Sequence, residues 1–210
     1  MGIPLLTVRT MASRLISFLL PVLALFALAA CGPADVLADS AEEDAAANSS
    51  DRDMRLEISL SARELYVFMN GEIVDEYPVA VGQPGHETPT GTWEVFRIDW
   101  NPDWTPPDSE WAADREYKPP GHPDNPMGRV RMVFNPPYTV HGTDVYDSLG
   151  QAASHGSIRM GNEDIIELAP RVMYYGGEPR TEEWVEAALD HSEEMVEIHL
   201  PDPVRIDIIP

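Results

Sequence analysis

The sequence predicts a mainly β domain carrying two short helices and one long proline- and tryptophan-rich loop. Three observations predict it. Residues 55–82 alternate apolar and polar side chains with an Asn-Gly pair between two of the runs; prolines crowd the middle of the chain; and only two stretches, both in the last third, read as helical.

The first run places Leu56, Ile58 and Leu60 on one face, the second Leu65, Val67 and Met69, and Ile73 opens the third. Asn70-Gly71 lies between the second and third, the residue pair that a type I′ hairpin turn favours because both positions need positive φ. A Thr-Pro-Thr-Gly turn, Thr88 to Gly91, then leads into a strand over Thr92 to Ile98, rich in β-branched and aromatic residues. Between Asp99 and Met127 stand prolines 102, 106, 107, 119, 120, 123 and 126, with Trp100, Trp104, Trp111 and Tyr117 among them. That density excludes a helix or a central strand, and the aromatic content predicts an ordered lid or groove wall. Strands resume at "RVRMVF" and "YTVHG". "NEDIIELAPRVMYYGG" predicts a short helix capped by Asn162 and ending near Gly176, and a second helix is expected within 179–195. "MVEIHL" and "PVRIDII" read as two closing strands.

Length and charge bound the rest. A chain of 210 residues, 43% hydrophobic and 24% charged, fits one domain with attachments. A net charge of −22 leaves no basic face for a phosphate backbone, so nucleic acid is excluded as a partner. Arg9 and Arg14 precede an apolar run from Leu15 to Ala30 that ends at Cys31, the only cysteine. The run is interrupted by Pro21 and is short for a span of ~20 residues, so residues 1–30 read as a secretory signal rather than a transmembrane helix. "LAAC" resembles a bacterial lipobox, which implies that Cys31 is lipidated and anchors the protein to a membrane. An ordinary signal peptide with an incidental cysteine is the plainer alternative. Residues 31–54, rich in Ala, Asp, Glu and Ser, read as an acidic disordered tether, and residues 55–210 as the folded domain.

Chemistry gathers at "SHGSIRM", where Ser157 follows His141 of "VHGTD" by sixteen positions. A nucleophilic serine needs a base in reach, a group orienting that base, and donors for the oxyanion. His141 follows a strand that can hold its ring, and Gly156 lets the loop before Ser157 turn its amides inward. Asp144 could orient His141 as a carboxylate, or be a solvated loop charge.

"TPTG", "NPMG", "HGT" and "SHGSIRM", in that order, resemble the L,D-transpeptidase (YkuD) family of peptidoglycan enzymes over nearly all of residues 55–175. The resemblance implies a β-sandwich catalytic domain acting on peptidoglycan stem peptides, with no cofactor. It implies His141 as general base and Ser157 at the nucleophile position, where the family carries cysteine. It also implies His155 and Gly156 as the loop shaping the oxyanion hole, and Arg159, Asn125 and Ser154 as substrate-binding residues. In that family the imidazole is oriented mainly by a backbone carbonyl.

Serine for cysteine matters because a hydroxyl must lose its proton during attack, whereas a thiol of pKa ~8.5 is already partly thiolate near neutrality. Three functions follow. The first is acyl transfer on stem tetrapeptides, giving 3→3 cross-links, protein tethering or L,D-carboxypeptidase action in the envelope. The others are a non-catalytic peptidoglycan-binding lipoprotein, and a serine hydrolase of a different acyl substrate. His86 and His122 sit in Gly/Pro loops without HExxH or cysteine partners, so solvated loop histidines are expected and no metal site.

Overall fold

The structure is a computed structural model, and it describes residues 53–210. The signal, lipidation and tether expectations for residues 1–30, Cys31 and most of 31–54 lie outside the described residues.

Nine strands form one sheet: β1 (Met54–Ser59), β2 (Glu64–Met69), β3 (Glu72–Gly82), β4 (Gly91–Trp100), β5 (Val130–Asn135), β6 (Tyr138–Thr143), β7 (Ala152–Ser154), β8 (Ile158–Gly161) and β9 (Val196–Ile209). Their order is β2-β1-β9-β4-β5-β6-β8-β3-β7, and a further pairing of β2 with β3 closes the sheet on itself. The expected sandwich therefore takes the form of a closed, barrel-like sheet. The hairpin that closes it is the one the Asn-Gly pair predicts: Asn70 and Gly71 have φ of 52° and 83°, and Met69 pairs with Glu72.

The inward-facing alternate residues of these strands make one core. Leu56, Ile58, Leu65, Val67, Val79 and Val95 are fully buried, as are Ile98, Val130, Met132, Val140, Ile158 and Met160. Helix α1 (Asn162–Tyr175) covers one end of it with Ile165, Leu168, Ala169, Val172 and Met173, spaced three and four apart so that all fall on one face. That face outweighs the hydrogen bond lost at Pro170, inside the helix. Helix α2 (Glu182–Asp190) is capped by Thr181, whose hydroxyl accepts from the Trp184 N–H, and Trp184 meets Trp100 edge-on at 5.7 Å.

Four boundaries differ from the sequence reading. The two closing strands are one, β9, which carries Leu200–Pro203 as an irregularity where the β4 register jumps between Val95 and Arg97. Asp99 and Trp100 belong to β4 rather than to the proline-rich loop, because Trp100 pairs with both Val130 and Val196. Asn162 is the first helical residue and not the cap; Gly161 holds that position without a side-chain bond. The second helix stops at Asp190, and the Asn101 amide binds the carbonyls of Ala188, His191 and Glu194 around its end.

Candidate active site

Strands β6 and β8 run parallel, with Val140 opposite Ile158 and His141 opposite Arg159. Because Val140, Ile158 and Met160 point into the core, the alternate residues His141 and Arg159 face the other side of the sheet, and Ser157 precedes β8 on that same side. Strand β5 adds Arg131 opposite His141. The topology thus brings His141 and Ser157, sixteen positions apart in sequence, to adjacent strands, His141 on β6 and Ser157 immediately before β8.

The loop before Ser157 is fixed from within. Ser154 Oγ accepts from the Gly156 N–H at 3.1 Å and donates to the Ser157 carbonyl at 2.5 Å. Gly156 has φ of 107°, and a Cβ there would lie 2.6 Å from the Tyr138 ring, so both conformation and space call for glycine. Thr88 of the Thr-Pro-Thr-Gly turn accepts from the Gly82 N–H and donates to the Gly156 carbonyl, at 2.9 and 2.8 Å. The turn therefore braces the serine loop as well as starting β4.

His141 is buried, and its Nδ1 lies 2.9 Å from the Gly142 carbonyl. A carbonyl only accepts, so Nδ1 carries the proton and Nε2 keeps its lone pair. Burial pushes the pKa down to about 4; the Gly142 bond opposes this, and the Arg159 and Arg131 guanidiniums add to it. The imidazole is neutral at neutral pH and available as a base. Asp144 does not orient it: this exposed carboxylate accepts from Asn162 Nδ2 at 2.6 Å. Ser157 Oγ accepts from the Thr139 N–H at 3.2 Å, which leaves its own proton free to be given up. No hydrogen bond joins His141 to Ser157 here, and such contacts commonly tighten only once substrate is bound.

The proline-rich loop supplies a wall. Trp111 lies flat on His155, centroids 3.9 Å apart and planes 9° from parallel, and His86 meets His155 edge-on at 4.8 Å. His86, Ser109, Glu110 and Trp111 line an open depression of about 550 Å³. Burial, then His86, Arg159 and Arg115, hold the His155 pKa below its ordinary value. His86 is thus a rim residue rather than the solvated loop histidine expected, whereas His122 stays in its loop and accepts from the Asp124 N–H. Among the described residues no group of three or more His, Cys, Asp or Glu side chains gathers to hold a metal.

The three residues expected to bind substrate fare differently. Arg159 is partly buried beside His141 and pairs with no carboxylate among the described residues, while Arg131 is held by Asp99 at 2.7 Å. Asn125 knits the loop together, donating to the Pro102 and Pro119 carbonyls and accepting from the Met127 N–H. Ser154 is 1% exposed and works inside the serine loop. Sequence reasoning placed Thr88 in a turn without its bond to the serine loop, did not find Thr139, whose part rests on a backbone amide, and saw Trp111 only as one of several loop aromatics.

Residues 53–206 match the family model of the L,D-transpeptidase catalytic domain, YkuD. The chain is 36% identical over 123 residues to a probable L,D-transpeptidase, YbiS, of Escherichia coli, a match covering 55% of this chain and 40% of that protein. It is 31% identical over 113 residues to the putative L,D-transpeptidase YkuD of Bacillus subtilis, covering 53% and 56%. The chain spans about half the length of the curated relatives it matches. Among solved structures, an L,D-transpeptidase from Mycobacterium smegmatis aligns with a TM-score of 0.47 at 15% identity, over 75% of this chain and 59% of that one.

Proposed function

The chain belongs to the L,D-transpeptidase catalytic domain family, and from that premise we propose that it transfers acyl groups of peptidoglycan stem tetrapeptides through Ser157. His141 Nε2 takes the hydroxyl proton as Oγ attacks the carbonyl between the third, diamino-acid residue and D-alanine. The new C–O bond replaces the C–N bond, the proton passes to the departing amine of D-alanine, and the acyl group stays on Ser157 as an ester. An amine acceptor then gives a 3→3 cross-link or a tethered protein, and water gives L,D-carboxypeptidase action.

The observation that carries this reading is the buried, neutral His141, fixed through Nδ1 on the Gly142 carbonyl, on the same face of the sheet as Ser157. Serine depends on its base more than cysteine does, and a base locked in one tautomer with Nε2 free is what it requires. Arg159, without a carboxylate partner among the described residues, supplies the positive charge for a stem-peptide carboxylate. His155 and Gly156 shape the turn that presents the nucleophile. The reading includes export directed by residues 1–30 and lipidation at Cys31, proposed from the signal-like run and the resemblance of "LAAC" to a lipobox, with the chemistry then lying in the cell envelope on the extracytoplasmic side of a membrane.

The test incubates the full chain with purified disaccharide-tetrapeptides and follows free D-alanine and cross-linked dimers by chromatography. Turnover by the native protein, and none by Ser157→Ala or His141→Ala, supports the proposal. Turnover by Ser157→Cys alone overturns it in favour of a wall-binding protein.

A further inference from the structure

Three segments converge behind His141: the Met127-Gly128-Arg129 approach to β5, the end of β6, and the first residue of α1. The side chain of Asn162, which is 7% exposed, stands where they meet. Its Oδ1 accepts from the Arg129 N–H at 2.9 Å, and its Nδ2 donates to Asp144 Oδ1 at 2.6 Å. A Cβ on Gly142 would lie 2.1 Å from that Oδ1, and one on Gly128 2.3 Å from it. The carboxamide therefore fills a space that exists only because both neighbours are glycines.

Gly142 is also the residue whose carbonyl receives His141 Nδ1. The peptide carrying this carbonyl is packed against Asn162 at its Cα, and two residues later the chain is tied to the same side chain through Asp144. From this juxtaposition we propose that Asn162 is a positioning residue for the His141 imidazole, acting through the Gly142 carbonyl and held in turn by Asp144. The inference rests on the reading of His141 as the base.

If the Gly142 carbonyl turns away, a buried Nδ1–H loses its acceptor, which is costly, and the tautomer protonated at Nε2 gains. That tautomer cannot take a proton from Ser157. The position also demands an amide. One oxygen must accept from a backbone N–H while one nitrogen donates to a carboxylate, and an aspartate there would set two carboxylates against each other. The helix asks nothing of this side chain, since the N-cap position is Gly161.

The demand for one amide and one carboxylate can be met with the two exchanged, and that provides the test. Asn162→Asp, Asp144→Asn and the double exchange are made in the full, ¹⁵N-labelled chain. The His141 tautomer is read from its ring nitrogen shifts, beside kcat and KM on the tetrapeptide and the melting temperature. Asn162→Asp is expected to shift His141 toward the Nε2-protonated form and to lower kcat roughly tenfold or more with KM little changed. The double exchange is expected to return both readings toward native. Should Asn162→Asp not fold, Asn162→Ser takes its place; its shorter side chain neither fills the space beside Gly142 nor reaches Asp144, and the same shift of His141 toward the Nε2-protonated form is expected.

A folded variant with lower stability but the native His141 tautomer overturns the proposal, as does a folded double exchange that leaves His141 displaced. The nitrogen shifts need no turnover. A native protein inactive on tetrapeptides would contradict the proposed function and still let the spectra decide this inference.

Discussion

The main-chain N–H of Thr139 donates to Oγ of Ser157 across 3.2 Å, joining the start of β6 to the residue before β8. The bond holds the oxygen through a lone pair and leaves its proton to be taken elsewhere. Sulfur accepts such a bond weakly, but a thiol is already ~3% ionised at pH 7. Ser157→Cys is therefore expected to raise turnover of the tetrapeptide by on the order of 100-fold, and Ser157→Ala to abolish it, as steady-state release of D-alanine would record.

The buried His141 makes a second expectation, in pH. A base with a pKa of about 4 stays neutral well below the ordinary 6.5, so the acid limb of kcat/KM should fall near pH 4 to 5. Stability follows the same group. The unfolded chain binds the proton more readily than the folded one between pH 6.5 and about 4, so this contribution is complete above that window and is lost as pH falls through it. The groups that face the ring are Arg131 from β5, Arg159 from β8 and the Gly142 carbonyl. Urea unfolding at pH 7 and pH 4.5 should show the native protein losing about 2–3 kcal/mol more than His141→Asn.

Glycine at 142 and 128 is a packing requirement. Gly142→Ala drives a Cβ toward Asn162 Oδ1, and Gly128→Ala does so with φ at 64° as well. Each should cost about 2–4 kcal/mol in denaturant unfolding, with Gly128→Ala the more damaging.

Trp111→Ala removes the stack on His155 without opening the core. An aromatic pair of this kind contributes ~1 kcal/mol, so the protein should stay folded. The His155 ring protons, freed from the indole ring current, should move downfield in the proton spectrum. KM for the tetrapeptide should rise several-fold while kcat holds.

Much of this was legible in the sequence because it depends on local chemistry. The Asn70-Gly71 turn, the alternation through β1 to β3 and the motif containing Ser157 each declare themselves within a few residues. The merging of the last two stretches into β9 was not legible, since Pro201 and Pro203 read locally as a break while pairing with β4 resumes beyond them. Asn162 shows the limit most clearly. Its place before an apolar helix suggests a cap, and only the approach of Gly128 and Gly142 in space gives its amide other work. Asp144 reads as a possible partner of His141 by nearness in sequence, yet it binds Asn162. Trp111 lies 44 positions before His155, a separation that no local pattern spans.

The central claim is that Ser157 forms the acyl-enzyme, and the most direct measurement is the intact mass of the protein after brief exposure to a disaccharide-tetrapeptide, followed by peptide mapping. The account predicts an adduct equal to the donor less D-alanine, located on Ser157 and missing from Ser157→Ala. A native protein that turns over substrate with the adduct elsewhere, or that binds it saturably and never acquires mass, would contradict the account.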